Sequence, residues 1–481
     1  MKLKFMCSYF SFIAVCSSRS YTTKTPFRTP FRKGLGRSSW KSLEARASQT
    51  VCLTDEQSMV LDAIAKKQSV FITGSGGTGK TFLMNCVIER LRRVHGKGGV
   101  FVTASTGVAA CALNGVTLHS FAGVGLGLAD KETLLSRVLA NDWACRKWRR
   151  AKAVVIDEIS MVDAELLDKL EFVARKVRHE KGDKVWGGIQ LVVAGDFFQL
   201  PPVRARGEAL KGYAFESMCW DSSFDLQVEL TKVFRQSDDA LLTDLLQSVR
   251  RGEIDHDNMK ILKLCCFDKE MDPSAVRLYP RIRDVKKMND KMLQELNGEL
   301  MAYTAVDSGA DSWKRQLNEG LAPEKLELRI GARVMLIKNV NVKSKLVNGA
   351  AGTVTGFTKP YKTRLICGCS VMPIVKFDSG LEMAVHPENW EVIEGNTVLA
   401  RRQQIPLVLA WAISIHKCQG MTLDSLQADL SSAFDYGMVY VALSRVKSLA
   451  GLHLSGFEPC KIKAHPKVLE FYQRLNGGEM S

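Results

Sequence analysis

One short motif constrains the fold of this chain more than any other feature. Residues 74–81 read GSGGTGKT; they follow the apolar run 70–73 and precede a helical pattern with apolar residues at Leu83, Val87 and Leu91. Glycines let a backbone curl so that successive N–H groups point inward, and the N-terminus of the following helix adds partial positive charge. A strand, a glycine-rich loop and a helix in this order predict a phosphate-binding P-loop within a parallel α/β sheet.

The spacing of the motif predicts a role for each of its residues. Lys80 would neutralise the β- and γ-phosphates of ATP, and the hydroxyl of Thr81 would bind Mg²⁺. The backbone of the loop would wrap the phosphate oxygens. The loop residues are Gly74, Ser75, Gly76, Gly77, Thr78 and Gly79. ATP and Mg²⁺ are therefore the predicted cofactors.

Two later strand ends predict the remaining chemistry of the first half of the chain. A strand-like apolar run ends in Asp157 and Glu158, at the edge of a parallel sheet where nucleotides bind. Asp157 would hold Mg²⁺ through water, and Glu158 would orient and deprotonate the attacking water, which distinguishes a hydrolase from a nucleotide switch. Gln199, after the next such run, is placed to sense the γ-phosphate. A solvated acidic turn is the alternative for the two acids, and Phe197 and Phe198 could equally lie in the core.

Alternating patterns from Leu53 onward predict the architecture. Short β-rich apolar runs alternate with helical segments, which is typical of βαβ units around a parallel sheet. The pattern restarts after about Phe224, and a Gly-rich stretch of short alternating runs at 348–393 indicates a small β-rich insertion. The predicted fold class is α/β, with two RecA-like parallel-sheet P-loop NTPase cores and an SH3-like insertion in the second.

The predicted limits of these parts follow from the same patterns. The first core spans 47–224, with a small wedge insertion at about 117–150, and the second spans 225–481, with a β-barrel-like insertion at about 340–400. Strands are predicted at Val70–Thr73, Val100–Thr103, Ala153–Asp157 and Leu191–Ala194 in the first core and at Val276–Tyr279, Val334–Ile337 and Leu407–Ile413 in the second, with helices at Ala164–Arg178 and Asp284–Asn297.

Charge and cysteine content narrow the class of partner. Lys plus Arg exceed Asp plus Glu by 67 − 51 = 16, which favours a polyanionic partner such as nucleic acid, although organellar proteins also tend to be basic. No apolar run approaches the roughly 20 residues of a membrane-spanning helix, so no membrane partner is expected.

The 13 cysteines include no CxxC pair, and the nearest approaches, Cys265-Cys266 and Cys367-Gly-Cys369, lack a second pair at zinc-site spacing. We therefore predict free thiols in a reducing compartment and no structural metal.

The first 46 residues differ in composition from the rest. They contain ten Lys or Arg, many Ser and Thr, and a single acidic residue, Glu44. This composition is typical of a mitochondrial transit peptide, so residues 1–46 are predicted to direct the chain to the mitochondrial matrix. A secretory signal is the competing interpretation, but its apolar stretch would be interrupted. A basic tail without a targeting role and a nuclear address are further alternatives.

With the P-loop, the acidic pair and Gln199 in this order, the chain closely resembles the petite-integration-frequency family of superfamily-one 5′-to-3′ DNA helicases, which are relatives of the RecD exonuclease subunit. The resemblance runs from about Leu53 to Leu452, and its most specific part is residues 160–175, SMVDAELLDKLEFVAR. Other matching segments are 53–57 (LTDEQ), 103–110 (TASTGVAA), 115–121 (GVTLHSF), 230–236 (LTKVFRQ), 412–420 (AISIHKCQG) and 440–445 (YVALSR).

The resemblance implies further roles. Gln57 would read the adenine edge, and Arg235 and Arg445, from the second core, would reach across the cleft to the γ-phosphate. Strand contacts are implied for Thr103, Thr106, Thr117, His119, Phe121, His416, Lys417 and Gln419. Hydroxyls and lysine would hold phosphates while aromatic faces accept any base, so little sequence preference is expected. The phenylalanine could instead be core, and the two histidines could brace loops.

Two positions depart from the family pattern. Cys418 stands where many relatives have Ser, which replaces a hydroxyl by a weaker donor, and Ala351 stands where Arg is commoner. Both changes affect implied strand contacts and leave the hydrolytic set intact.

The implied activity is ATP-dependent 5′-to-3′ DNA unwinding on single-stranded and forked duplex DNA, in organellar DNA replication, repair or recombination. A monomer is expected, with a DNA-induced dimer as the alternative, and the polarity rests on the resemblance alone. Two rivals stay open: an RNA or RNA–DNA remodelling helicase with the same cores, and a non-unwinding P-loop ATPase that loads a partner on DNA. A structural protein with a decayed site is excluded because the predicted hydrolytic residues are all present.

Overall fold

The structure is a computed structural model. It describes residues 53–477 except for 126, 180–182, 203–211, 267–274, 310–316, 318–321, 342–343, 345, 347, 360–370 and 395–396. The predicted transit segment 1–46, like Cys367 and Cys369, lies outside the described residues. Within the part of the chain that is described, no helix is long and apolar enough to cross a membrane.

Six parallel strands form the first sheet. They are β1 (Val70–Gly74), β2 (Val100–Ala104), β3 (Val116–Thr117), β4 (Ala153–Asp157), β5 (Gln190–Ala194) and β6 (Leu226–Leu230). Their spatial order is β3-β2-β4-β5-β1-β6. Strands β1, β4 and β5 are buried along their whole length, as continuous apolar runs are when helices cover both faces of a parallel sheet. The predicted α/β class and the four predicted strands of this core are confirmed.

Helices between these strands begin at side-chain caps. Thr54 accepts the N–H of Gln57, whose side chain bonds back to the N–H of Thr54, so the two residues form a capping box. Asp163 caps the predicted helix at residue 164, which buries one face through residues at four- and three-residue spacing. The helices are α1 (Asp55–Ala65), α2 (Lys80–His95), α3 (Gly107–Ala112), α4 (Leu118–Ala122), α5 (Lys131–Ala140), α6 (Asp142–Arg150), α7 (Ala164–Val177) and α8 (Trp220–Ser223), with 3₁₀ turns at Lys97–Gly99, Ile159–Met161, Val185–Gly188 and Ala214–Glu216.

An antiparallel insertion follows β7 (Val276–Tyr279), the first strand of a second parallel sheet. Its strands are β8 (Met301–Thr304), β9 (Val306–Gly309), β10 (Lys325–Leu328), β11 (Arg333–Leu336), β12 (Ala351–Thr358), β13 (Met372–Phe377), β14 (Glu382–Ala384), β15 (Glu388–Glu394), β16 (Thr397–Gln404) and β17 (Leu407–Leu409). They form the sheets β10-β8, β14-β13-β12-β11-β17 and β15-β16-β9. The insertion is wider than the predicted 340–400, because β8 and β11 belong to it and share its separate apolar core.

The second sheet is completed by β18 (Ala412–Ser414), β19 (Leu426–Asp429) and β20 (Leu452–Gly456), in the parallel order β18-β7-β19-β20. Two strand predictions are corrected here. The predicted strand 407–413 is two strands in different sheets, and the predicted strand 334–337 pairs antiparallel with β12 and β17 inside the insertion. The accompanying helices are α9 (Ala240–Arg251), α10 (His256–Leu264), α11 (Ile282–Glu295), α12 (Ile415–Cys418) and α13 (Met438–Leu443), with 3₁₀ turns at Leu449–Gly451 and Pro459–Lys461.

Two segments beyond residue 224 pack with the first sheet. Strand β6 pairs with β1, beginning with Leu226 opposite Val70. The last described helix, α14 (Pro466–Leu475), places Phe471 against Phe197 and Trp220, with ring centroids 5.3 and 6.0 Å apart. The predicted boundary at 224 is therefore corrected: the chain leaves the first core after β6 and returns to it at α14, because both segments bury apolar surface there.

Candidate nucleotide site and strand-binding residues

The P-loop joins β1 to α2 and lies against segments from later in the chain. Gly77 (φ 94°) and Gly79 (φ 80°) adopt the left-handed backbone conformation that favours glycine. A Cβ on Gly77 would lie 2.8 Å from the Cβ of Arg235, and one on Gly76 would lie 3.2 Å from the Cβ of Ser444. The glycines thus allow the segment after β6 and the end of α13 to approach the loop backbone closely.

Lys80 starts α2 and bends back over the loop. Its Nζ donates to the carbonyl oxygens of Gly74 (2.5 Å) and Ser75 (2.9 Å). Burial lowers the pKa of Lys80, and the neighbouring carboxylates of Asp196 and Glu158 oppose that shift. The ammonium group therefore lies between the loop and the acidic side of the cleft.

Asp157 and Glu158 stand at the C-terminal end of β4 in different surroundings. Asp157 is 9% exposed, and burial, with Glu158 beside it, raises its pKa to about 7. Glu158 has a left-handed backbone (φ 54°) and donates its N–H to Oδ1 of Asp157 (2.9 Å). Its carboxylate accepts a hydrogen bond from Nε2 of Gln419 (2.9 Å), which follows α12 of the second core. A buried acid beside an acid that faces the cleft is typical of functional sites.

Arg235 and Arg445 lie on the opposite wall. Nη1 of Arg235 donates to the carbonyl oxygen of Ser444 (2.8 Å), and Arg445 donates from Nε to the carbonyl oxygen of Val441 (2.8 Å) and from Nη2 to the Ser444 hydroxyl (2.6 Å). Burial, with Arg445 nearby, lowers the pKa of Arg235 to about 10. Two guanidinium groups fixed by backbone carbonyls form a positively charged wall that suits an anion.

A cavity of about 450 Å³ lies between the P-loop and these arginines. Five of the six predicted hydrolytic residues line it, namely Lys80, Glu158, Gln199, Arg235 and Arg445. Thr81 also lines the cavity, whereas Asp157 does not. The structure therefore brings together predictions made separately along the chain.

The two glutamines predicted to contact the nucleotide, Gln57 and Gln199, are both buried beside this cavity. Gln57 uses Oε1 in its helix cap, while its Nε2 faces the P-loop, 3.5 Å from the position a Cβ on Gly79 would take. Gln199 is 4% exposed, and its Nε2 reaches Oδ2 of Asp196 at 3.5 Å. Among the described residues, Oε1 of Gln199 has no hydrogen-bond partner. Both side chains thus retain a polar atom for a ligand.

A buried polar cluster behind the cavity is not predicted by any local pattern. Its centre is Asp196, which is fully buried and paired with Arg250 at 3.0 Å. Burial alone would raise the pKa of Asp196, but Arg250 and Lys80 hold it below its usual value. The hydroxyls of Tyr440 and Tyr472 each lie 3.3 Å from its carboxylate. The position of Asp196 at the end of β5 is a signal in the sequence, whereas its partners come from α9, α13 and α14.

Three predicted strand contacts of the first core lie at helix starts. Thr106 and Thr117 each accept the N–H of the residue three positions on, at 3.2 and 3.3 Å, so their half-buried hydroxyls cap α3 and α4. His119 lies in the first turn of α4 and is half-buried. These side chains sit at the C-terminal ends of β2 and β3, on the edge of the sheet that also carries the P-loop.

The second core presents its candidates on α12. Lys417 is exposed, while His416 is half-buried, which lowers the pKa of its imidazole. Phe434, which the sequence analysis does not single out, is 45% exposed and lies with its ring 6.4 Å from that of His416. Cys418 is buried, and its Sγ donates to the carbonyl oxygen of Ile415 (3.1 Å). The thiol is therefore bonded within α12 and does not face a strand.

Three other predicted strand contacts have buried side chains in the structure. Thr103 is fully buried on β2, where its hydroxyl donates to the carbonyl oxygen of Val155 (2.7 Å). Phe121 is fully buried against Trp148, with ring centroids 4.8 Å apart. Gln419 is 8% exposed and directed at the acidic pair in the cleft. In this conformation these three side chains contact other parts of the protein and present little surface to a nucleic acid.

Comparison with known proteins identifies relatives that match most of the chain. The human ATP-dependent DNA helicase PIF1 is 42% identical over 429 residues, which are 89% of this chain and 64% of the relative. The crystal structure of the Pif1 helicase from Candida albicans matches with a TM-score of 0.80 at 38% identity, over 89% of this chain and 100% of that chain. Pif1 from Bacteroides, in complex with ADP-AlF3 and ssDNA, matches with a TM-score of 0.68 at 28% identity, over 89% and 98% of the two chains. The chain thus spans just under two thirds of the length of its human relative.

A P-loop, an acidic pair at a strand end and a facing pair of arginines, set between two parallel sheets, define a P-loop protein with two RecA-like cores. The sequence profile of PIF1-like helicases matches residues 52–260, and that of the 2B domain of the DNA helicase Pif1 matches residues 315–357, within the insertion. This chain belongs to the PIF1-like helicase family.

Proposed function

We propose that this chain hydrolyses ATP in the cleft between its two cores and uses the cycle to move 5′-to-3′ along single-stranded DNA, separating the duplex ahead. The observation that carries the proposal is a cavity that combines Lys80, Glu158 and Gln199 with Arg235 and Arg445. Cationic groups on both sides of the cavity suit a triphosphate, and Glu158 is placed to accept a proton from an attacking water. The relatives support the proposal, since the human one is named an ATP-dependent DNA helicase and the Bacteroides one was crystallised with ADP-AlF3 and ssDNA.

Residues of the first core would hold ATP and Mg²⁺. The P-loop backbone and Lys80 would bind the phosphates, and Gln57 would bind the adenine edge. Thr81 and Asp157 would hold Mg²⁺, because hydroxyl and carboxylate oxygens are the hard donors that this cation prefers, and Thr81 lines the cavity. Bound ATP and Mg²⁺ supply the scissile phosphoanhydride and the neutralisation of its charge. One carboxylate suffices for the cation, since phosphates and water provide the other oxygens.

The protein's own groups divide the work of hydrolysis. Glu158 would accept a proton from the attacking water, and the hydrogen bond from Gln419 (2.9 Å) holds its carboxylate in place. Arg235 and Arg445 would stabilise the charge that develops on the γ-phosphate, which Gln199 would sense. Because Gln419 and Arg445 belong to the second core, loss of the phosphate would change the contacts between the cores. That change would shift two strand-binding surfaces relative to one another and so move the protein along the strand.

The strand would lie across both cores. We assign Thr106, Thr117 and His119 to the first surface, and His416 and Lys417 to the second. The exposed Lys417 would pair with a phosphate, and the imidazole rings would accept bases of any identity. Residues 47–481 hold 67 − 10 = 57 basic and 51 − 1 = 50 acidic residues, and this net positive charge suits a polyanionic partner.

Strand separation by the purified full chain tests the proposal. Duplexes carry a single 5′ tail or a single 3′ tail, in DNA and in RNA, and Glu158→Gln is the control. Unwinding of 5′-tailed DNA that is lost in Glu158→Gln is the expected result. Unwinding of RNA alone would favour the remodelling helicase. ATP hydrolysis without unwinding on any tail would refute the helicase proposal in favour of a loading ATPase.

We further propose that residues 1–46 address the chain to the mitochondrial matrix, on the ground of ten basic residues and one acid. A fluorescent protein fused after residue 46 should enter mitochondria, and the same fusion with Gln at the ten basic positions should not. Nuclear accumulation would favour the alternative address.

The monomer is the proposed acting unit, and sedimentation with and without a tailed duplex tests for a DNA-induced dimer.

A further inference from the structure

Asp196 occupies a position where three parts of the chain meet. It follows β5 of the first core and is fully buried. Arg250, on α9, donates to Oδ1 from Nη2 (3.0 Å) and from Nε (3.4 Å), and also from Nη1 to Glu229 (3.1 Å). The guanidinium carbon lies 4.5 Å from the centroid of the Phe198 ring and 5.0 Å from that of the Tyr472 ring. Two aromatic rings thus pack against the guanidinium group of this ion pair.

Two tyrosine hydroxyls complete the shell of this carboxylate. Tyr440, on α13 of the second core, lies 3.3 Å from Oδ2 and accepts the N–H of Gly76 in the P-loop at 2.7 Å. Tyr472, on α14, lies 3.3 Å from Oδ1 and accepts the N–H of Phe197 at 3.2 Å. An ionised carboxylate only accepts hydrogen bonds, so in these two contacts the phenols are the donors. Each hydroxyl thus connects Asp196 to a backbone N–H of the first core.

The Tyr472 hydroxyl also reaches the strand that leads into the P-loop. It lies 2.5 Å from Oγ1 of Thr73, the residue before the first glycine of the loop. Either hydroxyl can be the donor in this contact. One buried phenol from the last described helix thus bonds to β1, to the turn after β5 and to the central carboxylate.

The turn held by this carboxylate carries Gln199. Oδ1 of Asp196 accepts the N–H of Phe198 (3.3 Å), its main-chain oxygen accepts the N–H of Gln199 (2.9 Å), and its Oδ2 lies 3.5 Å from Nε2 of Gln199. The carboxylate therefore contacts both the backbone of this turn and the side chain that lines the nucleotide cavity.

We propose that Tyr472 is a positioning residue for ATP hydrolysis: through Asp196, and together with Tyr440, it holds Gln199 and the P-loop amide of Gly76 in the geometry that the reaction requires. This inference rests on the proposed function. It makes α14 part of the nucleotide site, although none of its residues lines the cavity described above. It also links the P-loop amide of Gly76 to the second core through the Tyr440 hydroxyl.

The test compares Tyr→Phe variants of the full chain, because Phe keeps the ring and removes only the hydroxyl. The Tyr472 ring stacks on Phe198 with centroids 4.6 Å apart, and Phe can keep that contact. Tyr436→Phe is the matched control, since Tyr436 is half-buried near the same C-terminal segment, with its ring 4.8 Å from that of His465. DNA-stimulated ATP hydrolysis is measured at saturating oligonucleotide, with rates expressed per molecule that binds a fluorescent ADP analogue, so that partial unfolding does not count as lost activity.

We expect Tyr472→Phe to lower kcat about tenfold while KM for ATP stays within about threefold, and Tyr436→Phe to match the wild type. Tyr440→Phe should lower kcat similarly, and the double variant should lose clearly less than the product of the two single effects, because both hydroxyls act on one carboxylate. A kcat for Tyr472→Phe within about twofold of the wild type, or fully multiplicative losses, would overturn the inference. A wild-type chain that hydrolyses no ATP would instead refute the proposed function itself.

Discussion

Arg250→Ala should destabilise the protein far more than the same change at its neighbour Arg251. Both arginines lie in the last turn of α9, so both contribute equally to the charge at that helix end. Arg250 is 5% exposed and paired with the fully buried Asp196, whereas Arg251 is exposed. Only Arg250→Ala leaves the buried carboxylate of Asp196 without its positively charged partner.

The magnitude follows from that difference. Removing one partner of a buried ion pair costs about 3–5 kcal/mol, whereas an exposed substitution changes stability by about 0.5 kcal/mol or less. Unfolding entropy of about 2.1 cal/mol/K per residue, over the roughly 430 residues from Leu53 to Ser481, amounts to about 0.9 kcal/mol/K. The thermal midpoint should therefore fall by about 3 to 6 °C in Arg250→Ala and by less than about 1 °C in Arg251→Ala.

Differential scanning calorimetry of the two variants at pH 7.5 and at one fixed protein concentration gives both midpoints. Adding Asp196→Asn to Arg250→Ala removes the stranded charge and should recover part of the loss. Midpoints of Arg250→Ala and Arg251→Ala that agree within about 1 °C would show that the pair is not a stabilising element. A double variant less stable than Arg250→Ala would show that the stranded charge is not the cause.

Three variants and one titration test the rest of the account. Lys80→Ala should lower ATP hydrolysis at least about 100-fold and keep single-stranded DNA binding at low salt, measured by fluorescence anisotropy without nucleotide; loss of that binding would contradict the assigned role. Phe121→Ala should cost about 3–5 kcal/mol in urea unfolding yet leave DNA affinity of the folded protein within about twofold, and a large loss of affinity would restore its predicted strand contact. Gln419→Ala should lower kcat for ATP hydrolysis about tenfold without weakening DNA binding. An unchanged kcat with weaker DNA binding would instead support the strand contact predicted for Gln419. Because Arg250 holds the pKa of Asp196 below its usual value, the stability from this pair is present above about pH 4 and is lost as pH falls through the lower folded pKa. The difference in unfolding free energy between the wild type and Arg250→Ala, measured by urea titration at several pH values, should therefore shrink as the pH falls, and a difference that grows would contradict the pairing.

The nucleotide site could be predicted in large part because its chemistry is local in the chain. The P-loop is one strand, one loop and one helix start, and its glycines are needed by the backbone itself, as the left-handed Gly77 and Gly79 show. The acids after β4 are likewise placed by the strand that precedes them. Arg235 and Arg445 were implied only by resemblance to a family, and the structure sets both on the wall of the same cavity.

The partners of Asp196 could not be predicted in this way. Arg250, Tyr440 and Tyr472 come from three helices, and each would be an ordinary side chain if its helix packed elsewhere. The same limit explains why Thr103 and Phe121, two of the predicted strand contacts, are buried. A motif places these residues near the other predicted strand contacts, but it does not show which way each side chain points.

The sequence by itself therefore determined the α/β class, the phosphate loop and the two acids, since each depends on conformations set within a few residues. Tertiary structure alone decided that β6 and α14 pack with the first sheet, that the insertion starts at β8, and that Gln419 faces the acids rather than a strand. These outcomes depend on which apolar surfaces, hundreds of residues apart in the sequence, pack against each other and are removed from water. The packing of the whole chain determines those contacts, so no short segment predicts them.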